Sequence, residues 1–77
     1  MKKISLAQMR VKHKGKVVEI QAGRVLQHRL MSMGLYPGRE VVKLSQFIFK
    51  GPVAIKAGRT VLALGYAMAH KIVVAVE

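Results

Sequence analysis

Arg24-Val25-Leu26-Gln27-His28-Arg29-Leu30-Met31-Ser32-Met33-Gly34-Leu35-Tyr36-Pro37-Gly38 is the stretch that interrupts an otherwise strand-like chain. Leu26, Leu30 and Met33 fall at i, i+4 and i+7, so at about 100° per residue they stack in one narrow stripe, as in an amphipathic helix. Arg24, Gln27 and His28 take the opposite face, with Met31 among them. Gly34 follows the last periodic residue, and Leu35-Tyr36-Pro37 follows Gly34. Glycine in the left-handed position after a helix, an apolar residue folding back on the last turn, and a proline that cannot continue it together predict a stop at Met33 or Gly34.

On either side the pattern is β. Short β-branched runs separated by glycine predict five strands. In Lys16-Val17-Val18-Glu19-Ile20-Gln21, alternation puts Val18 and Ile20 on one face and Glu19 and Gln21 on the other. A second run covers about Glu40 to Phe49, and its phase slips: Val42 and Leu44 share one parity, Phe47 and Phe49 the other. A bulge near Ser45-Gln46 would reconcile them, and the two phenylalanines are expected in the core. Lys50-Gly51-Pro52 separates this run from Val53–Lys56, and Gly58-Arg59 fits a type II′ hairpin to Thr60–Leu64. A last run, Ile72–Val76, aligns Ile72, Val74 and Val76, and a short helical turn is expected over 67–70. Five mostly hairpin-linked strands suggest a small closed barrel.

The chain has 77 residues, of which 52% are apolar, with a mean hydropathy of +0.28. It is read as one domain spanning residues 1–77, with a core too small for a large internal cleft. There are no cysteines, which removes disulfides, thiolate metal ligands and thiol nucleophiles. The apolar run 61–76 is shorter than the roughly 20 residues of a spanning helix, and Lys2-Lys3 open no export signal, so a cytoplasmic protein is expected. Fourteen Lys and Arg against three Glu give a formal charge of +11. Such a field draws a protein toward phosphate, anionic headgroups or an acidic protein face.

Reactive groups are few. Glu19, Glu40 and Glu77 offer no paired-carboxylate geometry, the hydroxyl residues have no nucleophile context, and no phosphate-loop glycine pattern occurs, so no catalytic residue is assigned. His13, His28 and His70 are never three or four apart, so no metal site is assigned. Weak binding of Fe2+ or another transition metal stays open, with His28 as its candidate ligand. Lys12, Lys14 and Lys16 alternate along one strand face as the densest basic stripe.

The run Arg29-Leu30-Met31-Ser32-Met33-Gly34-Leu35-Tyr36-Pro37-Gly38 resembles the signature of the FeoA family, small proteins of ferrous-iron uptake. Leu6 with Met9, Gly51-Pro52, Val61–Leu64 and Ala69 with Ile72–Val74 continue the resemblance over nearly the whole chain. Gly65 departs from it, standing where the family often has arginine. The resemblance implies a mainly β fold, an SH3-like barrel of about five strands with an inserted helix. It also implies a non-enzymatic accessory role toward FeoB, the membrane ferrous-iron transporter, whose cytoplasmic G-protein part would be the partner and the only link to the membrane. Arg24, His28, Met31 and Tyr36 are the candidate partner-binding residues. A basic nucleic-acid-binding barrel and a metal-responsive regulatory module are the competing readings, with no specific nucleic acid assigned. Exposed strand edges leave a homodimer open.

Overall fold

The computed structural model describes residues 1–77, and every strand in it joins one antiparallel sheet. Six strands form, β1 (Lys2–Ser5), β2 (Lys14–Ile20), β3 (Glu40–Gln46), β4 (Val53–Ala57), β5 (Thr60–Leu64) and β6 (Ile72–Val76), in the order β1-β6-β2-β3-β4-β5. The strand beyond the five expected is β1. Its Lys2-Lys3-Ile4-Ser5 is too short and polar to show a strand period, and it is made extended by pairing with β6, Ile4 opposite Val74. No ladder joins β1 to β5, so the expected closure is not made by hydrogen bonds and the barrel is a strongly curled sheet with two edges.

Helix α1 (Arg24–Ser32) crosses between β2 and β3, and α2 (Tyr66–His70) between β5 and β6. The C-terminus of α1 is the stop read from the sequence. Gly34 has φ 96°, its N–H donates to the Met31 carbonyl, and the Leu35 N–H donates to Leu30 at 2.8 Å, the paired bonds of a Schellman motif. Leu35 is fully buried behind it. Gly58 has φ 64° while Arg59 stays at negative φ, the pattern of a type II′ turn joining Ala57 to its partner Thr60.

Fifteen apolar residues from both helices and five of the strands form the core, with Leu6, Ala7 and Met9 of the first loop and Leu35 among them. The parity of β2 departs from simple alternation. Its register against β6 shifts between Val17 and Glu19, so Val17 and Ile20 point inward and Val18 is only half-buried. The extra residue of a bulge exchanges the two faces, which alternation along one strand cannot foresee.

In β3 the shift against β4 falls between Lys43 and Ser45, close to the place the phase slip indicated. Its consequence differs from the expectation. Val41 and Lys43 face inward while Leu44 is partly exposed, and the strand ends at Gln46 rather than Phe49. Phe47, Ile48 and Phe49 form the β3–β4 turn and are exposed, so the two phenylalanines do not belong to the core.

Candidate functional site

The inserted helix is fixed by its inner face and displays its outer one. Leu30 is buried and Leu26 packs partly against the core, as the stripe required. Gln27 is exposed on the opposite face as read, and its side-chain amide in addition donates to the carbonyls of Ala22, at 2.6 Å, and Ile20. Those bonds tie the first turn of α1 to the end of β2, where no side chain caps the helix. Arg24, His28 and Met31 are all exposed, at i, i+4 and i+7 on one stripe. Val25, 79% exposed, lies beside them. Arg24, Val25 and His28 line a shallow depression of about 350 Å³. Sequence reasoning passes over Val25 because it falls outside the stripe of Leu26, Leu30 and Met33.

Tyr36 is not part of that stripe. It is half-buried in the loop after α1, its hydroxyl accepts a hydrogen bond from Arg39, and the Arg39 guanidinium lies 5.7 Å from its ring centroid. Arg39 also covers Gly58 so closely that a Cβ there would meet its guanidinium. Tyr36 is thus held by Arg39 against the β4–β5 hairpin rather than offered outward beside Met31.

The three histidines lie apart. His28 is on α1, His13 lines a cleft near the N-terminus, and His70 stacks on Tyr66 with its Nδ1 3.3 Å from the Ser5 hydroxyl. No group of three or more His, Cys, Asp or Glu side chains comes together as a metal site would require. The cleft that includes His13 has a volume of about 650 Å³, and Lys2, Arg10 and Lys14 add three cations to its walls. Glu77 is its one acid. Lys14 and Lys16 point out from β2 as the alternating stripe required, while Lys12 falls in the preceding turn at φ 71°.

The residue that sequence reasoning misses outright is Lys43. Its side chain is fully buried on the inner face of β3, and its ammonium donates to the carbonyls of Leu6, Ala7 and Met9 at 3.1, 2.9 and 2.6 Å and to the side-chain oxygen of Gln46. Burial pushes the Lys43 pKa below its ordinary 10.5 by desolvating the ammonium. Backbone bonds continue the attachment, since Lys12 N–H donates to the Lys43 carbonyl and Lys43 N–H to that of His13. The loop from Leu6 to His13 is therefore pinned to β3 through one side chain. A signal exists in the sequence: Lys43 shares its parity with Val41, the inward residue of the same strand.

The chain matches the FeoA domain model over residues 4–76. Among solved structures, it is 32% identical to a crystallised iron uptake regulatory protein, FeoA, with 96% of this chain and 97% of that one covered and a TM-score of 0.88. A FeoA-like protein from Clostridium acetobutylicum is 28% identical, covering 99% of this chain and 88% of the other at a TM-score of 0.83. A zinc complex of FeoA from Stenotrophomonas maltophilia, described as a prokaryotic SH3-domain protein, is 24% identical and superposes at a TM-score of 0.78 over 92% of this chain and 88% of that one. No curated protein sequence matches. No helix is long and apolar enough to cross a membrane. The curled six-stranded sheet with its inserted helix is accordingly the SH3-like FeoA fold, a non-enzymatic accessory domain associated with ferrous iron transport, and this chain belongs to the FeoA family.

Proposed function

We propose that this protein is an accessory subunit of ferrous iron uptake that binds the cytoplasmic G-protein part of a FeoB-type transporter through the outer face of α1, and supports or regulates transport from the cytoplasm. The observation that supports this reading is the mismatch between how firmly α1 is held and how little of its outer face is used. The Schellman bonds, buried Leu30 and Leu35, and the Gln27 bonds to Ile20 and Ala22 fix the helix. Arg24, Val25, His28 and Met31 nevertheless stay exposed. A preorganised helix face pairing a cation with two apolar side chains meets a partner with little ordering cost.

Tyr36 plays a supporting part in this reading, keeping the loop behind α1 in place through Arg39. The test is titration of the wild type and of the Arg24→Ala/Met31→Ala double variant against the isolated cytoplasmic domain of the transporter. Central interface residues cost more than about 1 kcal/mol when truncated, so the double variant should bind at least about tenfold more weakly with an unchanged melting temperature. Equal affinity would move the interface elsewhere on the molecule.

A further inference from the structure

We propose that the β3–β4 tip, together with the cationic cleft joined to it through Lys43, docks this protein on an anionic lipid bilayer. Phe47, Ile48 and Phe49 are 65%, 77% and 93% exposed, three consecutive large apolar residues on one turn. Phe49 and Lys50 hold φ of 58° and 59°, a conformation that residues with a side chain rarely adopt, and here it occurs twice in succession. The left-handed pair turns the chain sharply at the end of the exposed apolar run, and Lys50 follows the last of the three.

The cationic cleft is joined to this turn through Lys43. Met9 lines the cleft that carries Lys2, Arg10, His13 and Lys14, and its carbonyl accepts from the Lys43 ammonium at 2.6 Å. The same ammonium bonds Gln46, the residue immediately before Phe47. One buried side chain therefore fastens both the wall of the cleft and the root of the apolar tip.

A short apolar projection beside a basic surface is the combination that seats a protein at the headgroup boundary. The apolar groups enter the acyl edge while the cations meet anionic headgroups, and two such signals together hold where one is marginal. The net charge of +11 adds long-range attraction to the same surface. Single-stranded nucleic acid fits less well, because bases stack on rings set along an open platform, and here Ile48 separates the two rings on a tight turn. Membrane docking concerns a different class of partner and a different part of the surface from the transporter reading, and it departs from the expectation that the transporter is the only link to the membrane.

The test is sedimentation of the 77-residue chain with vesicles of phosphatidylcholine mixed with phosphatidylglycerol, and with vesicles of phosphatidylcholine alone. The chain has no tryptophan, so Phe49→Trp supplies a single emission reporter. The expected result is salt-sensitive binding to the mixed vesicles, a blue shift of the indole emission of the Phe49→Trp variant on binding, and a loss of at least about tenfold in partitioning for Phe47→Ser/Phe49→Ser. Neutralising Arg10 as Arg10→Gln should weaken binding roughly fivefold. If the serine variant melts early, the emission shift alone decides. No shift with mixed vesicles, or a shift produced only by single-stranded RNA or by the transporter's cytoplasmic domain, would overturn the proposal.

Discussion

Replacing Lys43 with methionine keeps the aliphatic stem that fills the space behind β3 and removes only the ammonium. Three backbone carbonyls then lose a donor. That of Leu6 still accepts from the Met9 N–H at 3.3 Å, and Gln46 is only half-buried and can turn to water. The Ala7 and Met9 carbonyls have no other backbone donor. Two orphaned buried acceptors at ~1–3 kcal/mol each, less the relief of no longer burying a charge, put the loss at about 2–4 kcal/mol. For a chain of this size that is a fall in melting temperature of roughly 8–30 °C. Thermal unfolding followed by circular dichroism reads the total. Amide exchange locates it, because the loop from Leu6 to His13 should lose protection before the β3–β4 ladder does. A Lys43→Met variant as stable as the wild type would mean that desolvating the ammonium cancels everything its bonds contribute, and the loop would not be pinned by this side chain at all.

Further expectations rest on single features. The folded protein releases the Lys43 proton at a lower pH than the unfolded chain, whose lysine stays near 10.5, so between those two values the unfolded state binds more protons and stability from this group rises with pH. The melting-temperature difference between wild type and Lys43→Met should therefore grow as pH approaches 10.5, and a shrinking difference would contradict the assignment. Leu30→Ala, at a 2% exposed site, should cost about 2–5 kcal/mol in a denaturant titration. Gly34→Ala meets no atom within 4 Å, so its cost, about 1–2 kcal/mol by the same titration, is purely that of forcing a side chain to φ 96°.

The helix and its stop are legible because both are local: Leu26, Leu30 and Met33 set the stripe, and Gly34 and Leu35 close it within a few residues. The exposed stripe of Arg24, His28 and Met31 follows from the same periodicity. What escapes notice depends on partners distant in sequence. Lys2–Ser5 becomes a strand only by lying along Ile72–Val76. The bulge after Val17 is a mismatch between two strands, invisible in either alone. Hydrophobicity assigns Phe47 and Phe49 to the core, yet the strand ends before them, and the inward place on β3 goes to a lysine because carbonyls from residues 6–9 are there to receive it. Nearness in sequence groups Tyr36 with the helix face, whereas Arg39 turns it to the β4–β5 hairpin.

The strand order carries a consequence for biosynthesis. β6 lies between β1 and β2 and is hydrogen-bonded to both. While a ribosome still covers residues 72–76, β1 has nothing to pair with and one side of β2 is bare, so the nascent chain can assemble only the meander of β2, β3, β4 and β5. The earliest strand must wait for β6, and insertion of β6 between β1 and β2 is the event that joins the two into one cooperative sheet.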